Sequence, residues 1–256
     1  MATTKTYTIQ KYKEGFRQVE DEVVVEYTLA IYLNDRYFIT LLCTPEHLEE
    51  LVYGYLFSEG VICDKEEILE LELDEEKGKA MVTIDREDLF TYAGDQLVGE
   101  VTVTTACGKG RKVTFPVVRE GADEKIQPME VEPEDVFRLI RQFNKSSDLF
   151  LRTGGVHSCA LCSGKEVLYA RDDIGRHNAL EKILGKALLD GIDLKDKMVL
   201  TTGRMSSEIV DKVILRGIPV LISRSAPTDR AIDHAEKAGC KLIGFVRGDK
   251  MNVYTT

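Results

Sequence analysis

No apolar run in this chain of 256 residues approaches the roughly 20 residues that a membrane-spanning helix needs. The opening stretch, Met1-Ala-Thr-Thr-Lys-Thr-Tyr-Thr8, lacks the apolar centre of a signal peptide. A cytoplasmic location without membrane association is therefore expected. Cysteine is sparse, with six in all, and in a reducing compartment these read as free thiols and not as a disulfide framework. Positive charge is the scarcer sign: 34 Lys and Arg stand against 44 Asp and Glu, a formal net charge of −10. That balance excludes generic nucleic-acid binding, which wants a basic footprint. The chain also lacks a Walker A loop, a dinucleotide G-x-G-x-x-G turn and a G-x-S-x-G nucleophile elbow.

What is present is an ordinary globular composition, 43% hydrophobic and 30% charged. The length suits two small domains better than one large one, and the pattern changes character midway. Residues 1–125 read as β-rich. A hairpin is expected over Glu22 to Leu42 with its turn at Asn34-Asp35, and shorter strands at Ile68–Leu73, Ala80–Ile84 and Val98–Thr105. One helix interrupts them. Thr44 reads as its N-cap, Pro45 as its first residue, and Leu48, Leu51, Val52, Tyr55 and Leu56 as its apolar face, ending at Glu59-Gly60. The acidic, proline-bearing stretch Gly121 to Pro133 reads as a linker.

Over residues 131–256 strands alternate with helices. Strands are expected at Val156–Leu161, Glu166–Arg171, Met198–Thr202, Val220–Ser223 and Lys241–Phe245; helices at Glu134–Asn144, Arg176–Leu189, Ser206–Arg216 and Asp229–Ala238. Such alternation implies a largely parallel sheet covered on both faces, with ligands held beyond the carboxyl ends of its strands. Those ends lead into Thr202-Gly203-Arg204, Ser223-Arg224-Ser225 and Arg247-Gly248.

Charge is unevenly spread. Asp64 to Lys77 carries eight acids and two bases, whereas Gly203 to Lys250 carries nine Lys or Arg and six acids. An anionic ligand is therefore expected toward the C-terminal half. Cys107 lies between Ala106 and Gly108, and from Lys109 to Arg119 there are four cations and no acid. Cations favour the thiolate, the nucleophilic form, and glycine keeps a backbone open. The stretch reads either as a reactive, sulfur-carrying cysteine on a flexible arm or as a surface turn that happens to hold a thiol.

Cys159 and Cys162 form a C-x-x-C close to His157, which invites a metal reading. No second ligand pair accompanies them, the H-x-E and P-C-x-x-C deaminase signature is missing, and on a strand the two point to opposite faces. No metal is therefore expected. Cys43, Cys63 and Cys240 read as packing residues. Asp172-Asp173-Ile-Gly-Arg176-His177-Asn-Ala-Leu180 opens a helix and reads equally as an anion site or as simple capping. Thr201 to Glu208 repeats that theme, with Arg204 and a helix start able to grip phosphate. In the tail, Phe245 suits ring stacking, and Arg247 or Lys250 suits phosphate.

Taken together, these segments resemble one family, FdhD, the sulfur-carrier accessory protein of formate dehydrogenase. The resemblance runs through Thr44 to Gly60, the Cys107 loop, Thr153 to His157, Asp173 to Leu180, Gly203 to Glu208 and Phe245 to Tyr254. It implies a β-rich N-terminal domain and a C-terminal three-layer α/β domain related in fold to cytidine deaminases, without their zinc chemistry. It also implies a sulfurtransferase: sulfur passes from a cysteine desulfurase, through a persulfide on Cys107, to the molybdenum cofactor in its bis-molybdopterin guanine dinucleotide form, before insertion into formate dehydrogenase. The cofactor-contacting stretch falls on Phe245, Val246, Arg247, Gly248, Asp249 and Lys250, and a homodimer is expected. Where the family loop often carries a second cysteine this chain has Gly110, so Cys107 is expected to act alone. A non-catalytic chaperone for the same cofactor is the alternative; a deaminase or hydrolase is disfavoured by the missing ligands and base.

Overall fold

The computed structural model describes residues 1–85 and 125–255. The Cys107 loop, the expected strand Val98–Thr105 and the first part of the expected linker lie outside them. The chain opens with a two-stranded ribbon, β1 (Thr4–Tyr12) and β2 (Phe16–Val24), in register from Thr4 opposite Val24 to Tyr12 opposite Phe16. Its turn uses two positive φ angles, Glu14 at 57° and Gly15 at 138°. The ribbon's base reaches the second half of the chain, where Arg152 Nη1 meets Glu22 Oε2 at 3.0 Å.

β3 (Tyr27–Leu33) and β4 (Arg36–Cys43) form the expected hairpin. Asn34 and Asp35 both take left-handed φ, 46° and 63°, as a two-residue turn matching strand twist requires. Asn34 also clamps β6: its Oδ1 accepts the Ile84 N–H and its Nδ2 donates to the Ile84 carbonyl. With β5 (Ile68–Asp74) and β6 (Lys79–Ile84) the hairpin builds a four-stranded sheet of order β4-β3-β6-β5.

The helix above this sheet, α1, spans Leu48–Ser58 and buries the apolar face expected of it. Its start is later than the sequence suggested. His47, at φ 56°, is the residue before the first turn, because the Thr44 hydroxyl is engaged elsewhere. The second half holds α2 (Pro133–Phe143), α3 (Asp148–Thr153), α4 (Arg176–Leu189), α5 (Ser207–Leu215) and α6 (Asp229–Ala238). They surround a six-stranded sheet of order β12-β11-β10-β9-β7-β8. Its strands are β7 (His157–Ser163), β8 (Glu166–Asp173), β9 (Lys197–Thr201), β10 (Val220–Ser223), β11 (Lys241–Arg247) and β12 (Lys250–Val253). Parallel pairing in this sheet is confined to β9, β10 and β11. Hairpin connections at Gly164-Lys165 and Gly248-Asp249 make the flanking pairs antiparallel, so the sheet is more mixed than alternation implied.

Both faces are covered. One apolar cluster runs from Leu29, Ile31 and Val82 of the small sheet through Leu51 and Leu56 of α1 and Leu180 and Ile183 of α4 to Val199 and Leu221. The other lies under α2, with Leu139 and Phe143 against Ala160, Cys162 and Ile222. Part of the expected linker is packed too: Ile126 is buried, and its N–H donates to the Ala238 carbonyl at 2.9 Å. Glycine sets the distance between α1 and α4. A Cβ on Gly54 would stand 1.7 Å from the Glu181 carbonyl oxygen, and one on Gly185 would stand 1.9 Å from that of Glu50. The two backbones touch there.

Candidate functional site

The thiols separate into two kinds. Cys159 and Cys162 fall on opposite faces of β7, one in each apolar cluster. Cys43 and Cys240 are buried as well. Burial pushes all four thiols up to about 12, so none forms a thiolate at neutral pH. Cys63, which the sequence suggested would pack, is exposed. It precedes a short 3-10 turn at Lys65–Glu67 whose capping box turns the backbone outward there, and its N–H donates to Glu67 Oε1. Cys107 lies outside the described residues.

The acidic turn before α4 proves to be a buried tie. Asp173 Oδ1 accepts from the Gly175 N–H and from Asn178 Nδ2, both at 2.9 Å. Its Oδ2 accepts from the Thr44 N–H at 3.0 Å and pairs with Lys182 Nζ at 2.7 Å. Lys182 also donates to Thr44 Oγ1. Asp173 and Lys182 have no exposure to solvent. Asp173 is thus committed to this tie, and among the described residues no side chain caps the first turn of α4.

The chemistry-bearing residues gather instead at the carboxyl edge of β9, β10 and β11. There the start of β7 and the first turns of α4 and α5 come together. The loops after the three strands are laced side by side: the Met205 N–H donates to the Ala226 carbonyl, the Thr228 N–H to the Met205 carbonyl and the Phe245 N–H to the Ser225 carbonyl. The Ser158 N–H donates to Thr202 Oγ1 at 3.0 Å, tying β7 to the same edge. His177 Nε2 stands 3.2 Å from Glu208 Oε2, joining the first turns of α4 and α5. Arg176 packs its stem over Gly203, where an added Cβ would meet Arg176 Cβ at 3.0 Å. Burial, then the charges of Arg176 and His177, hold the His157 imidazole below its ordinary pKa.

A cleft of about 290 Å³ opens beside this edge, lined by Asn144, Ser147, Phe150, Ser158, Thr202 and Arg224 among others. Arg224 Nη1 donates to Asn144 Oδ1 at 3.1 Å across it. Asn144, Ser147 and Phe150 escaped the sequence reading; the available signal was Ser147, whose hydroxyl accepts the Phe150 N–H and caps α3.

The tail residues form the adjoining β11–β12 hairpin. Phe245 is 43% exposed at φ 53°, where the register between the two strands shifts. Arg247, Gly248, Asp249 and Lys250 are exposed, whereas Val246 is buried in the cluster under α2. Its side chain faces the core. Arg204 is exposed on the neighbouring loop.

The FdhD/NarQ family model matches residues 24–256. Among known proteins, the sulfur carrier protein FdhD of Listeria monocytogenes serotype 4b is 40% identical over 251 residues, spanning 96% of this chain and 95% of that one. The sulfur carrier protein FdhD of Bacillus subtilis is 40% identical over 259 residues, spanning 98% and 95%. Among solved structures, a protein of Desulfotalea psychrophila proposed as a formate dehydrogenase accessory protein superposes with a TM-score of 0.77 at 27% identity, covering 100% of this chain and 98% of that one.

Proposed function

The chain belongs to the FdhD/NarQ family, and from that membership we propose that it serves formate dehydrogenase as a sulfur carrier through a persulfide on Cys107. The observation that carries the assignment is the burial of the other thiols. Cys43, Cys159, Cys162 and Cys240 are enclosed with thiols raised to about 12, which leaves Cys63 and Cys107 as carriers. Cys63 sits beside an acidic run, and Cys107 precedes four cations, the setting that favours a thiolate.

In the first step the Cys107 thiolate attacks the terminal sulfur of a persulfide on a cysteine desulfurase. A new S–S bond forms at Cys107, and the desulfurase cysteine leaves as thiolate. In the second step that terminal sulfur passes to the molybdenum cofactor, the substrate, and Cys107 leaves as thiolate. Sulfur transferred in this way is at the zero oxidation level, so the acceptor supplies the two electrons that reduce it to sulfide. No resolving thiol takes part, in keeping with Gly110. The guanine-bearing ends of the cofactor are held at the carboxyl edge, with Phe245 stacking on a ring and Arg247 and Lys250 facing phosphate.

Mass spectrometry after incubation with a cysteine desulfurase and cysteine tests the carrier step. One added sulfur atom on the Cys107 peptide is expected, and the same experiment on Cys107→Ser should leave the protein unmodified. An unmodified Cys107 under conditions that load other acceptors would leave a cofactor-binding chaperone in place of a carrier.

A further inference from the structure

The first turns of α4, α5 and α6 share one feature. Their N-cap residues, Gly175, Ser206 and Thr228, make no side-chain cap hydrogen bond. The leading N–H groups of these helices therefore lack the partner that an N-cap normally supplies. All three turns open on the carboxyl edge of the six-stranded sheet.

Ser206 is the informative one. It is only 6% exposed, and its hydroxyl has no hydrogen-bond partner among the described residues. Its backbone, φ −76° and ψ 162°, is the extended conformation that turns an N-cap side chain toward the first-turn N–H groups. The hydroxyl and those N–H groups thus face one space without bonding each other. A buried hydroxyl left unpaired is destabilising, so a ligand is expected to fill that space.

The surroundings choose the ligand's sign. Two helix N-termini present partial positive charge, Arg176 lies over Gly203, and His177 belongs to the same turn. Glu208 contributes the opposing charge, and its carboxylate is turned to His177 at 3.2 Å. A buried, unpaired hydroxyl beside a helix start, at a positive site, suits an oxyanion.

We propose that the junction of the α4 and α5 first turns is a binding site for a phosphate group, with the Ser206 hydroxyl and the α5 N–H groups as its ligands and Arg176 as its countercharge. The site is separate from Arg247 and Lys250 on the β11–β12 hairpin. It rests on the sulfur-carrier reading only for what bears the phosphate, a guanine nucleotide or the free anion. A phosphate site here would take one phosphate of a dinucleotide and leave the other to Arg247 and Lys250.

The test is calorimetric titration of the full chain with inorganic phosphate, pyrophosphate and GDP, using the parent and Ser206→Ala. Saturable binding of pyrophosphate is expected, weakened about tenfold or more by Ser206→Ala, equivalent to roughly 1.4 kcal/mol. An unchanged melting temperature for Ser206→Ala would show that the loss is not one of folding. Competition between pyrophosphate and GDP would assign the site to the nucleotide, and their independence would assign it to the free anion. No saturable anion binding, or equal affinities for parent and Ser206→Ala, would overturn the proposal whether or not Cys107 loads with sulfur.

Discussion

At the scale of single residues, solvent access sorts the cysteines more sharply than their neighbours in sequence do. Cys43, Cys63 and Cys240 look alike as text, yet only Cys63 reaches solvent among the described cysteines. Alkylation of the native protein with iodoacetamide at neutral pH should therefore mark Cys63 and Cys107 and spare the other four. Labelling of Cys159 before unfolding would contradict its enclosure on β7. The same experiment supplies a control for sulfur loading, since Cys63→Ser should retain the persulfide on Cys107. In the tail, Arg247 differs from Val246 in facing solvent. An Arg fork grips phosphate with two charge-assisted bonds, a geometry Lys cannot reproduce. Arg247→Ala is expected to weaken GDP binding about tenfold, roughly 1.4 kcal/mol, with Arg247→Lys recovering part of it. Equal affinities in calorimetry would move the nucleotide off the hairpin.

At the scale of elements, the strongest constraint is the meeting of α1 with α4. Gly54 and Gly185 let the two backbones touch, and polar ties hold both ends. Thr44 is bound to Asp173 and Lys182 before the helix begins, and Ser58 and Glu59 are bound to Lys212 where it ends. Gly185→Ala removes a helix-interior glycine, a change worth up to about 1 kcal/mol in favour of an isolated helix. Here it should destabilise instead, by about 2 kcal/mol or more, because the new methyl meets a carbonyl oxygen that cannot yield. A denaturation midpoint at or above the parent's would refute that packing. Much of this level was legible in the sequence. The turn at Asn34-Asp35, the span of α4 from Arg176 to Leu189 and that of α6 from Asp229 to Ala238 follow from turn chemistry and apolar period. The failures have local causes. β1 and β2 carry mixed polar residues on both faces because the ribbon packs little of either, so no alternation marks them. α3 has one buried residue, Leu149, too few for a helical period. Thr44 carries a cap's chemistry but spends it on Asp173, a partner 129 residues away. The site followed the same division. The strand ends and the Arg176, Arg204 and Arg247 loops were legible from the α/β pattern, whereas the unpaired Ser206 hydroxyl exists only once three helices have been placed.

At the scale of the whole molecule, the question is whether the two sheets behave as separate folding units. The sequence divides the chain near residue 125, but the apolar interior does not follow that division: one cluster passes from the small sheet through α1 and α4 into the large one. A buried charge cluster spans the same seam. Lys212 Nζ reaches Glu181 Oε1 and Glu59 Oε1, each at 2.5 Å, and Ser58 Oγ at 2.9 Å. The carboxylates hold Lys212 charged against the cost of burial, raising its pKa above the ordinary lysine range. Removing the lysine while leaving both acids in place uncompensates a buried charge, a change worth roughly 3–5 kcal/mol. Lys212→Met should therefore lower the melting temperature of the entire molecule and not that of one sheet. Calorimetry should show a single transition in both proteins, with calorimetric and van't Hoff enthalpies in agreement. Hydrogen exchange should report the same loss of protection at Leu29 and Ile31 of β3 as at Val199 and Leu200 of β9. If Lys212→Met instead splits the transition, with β3 opening while β9 stays protected, the shared cluster does not couple the sheets. The two halves would then be independent domains joined at a dispensable seam.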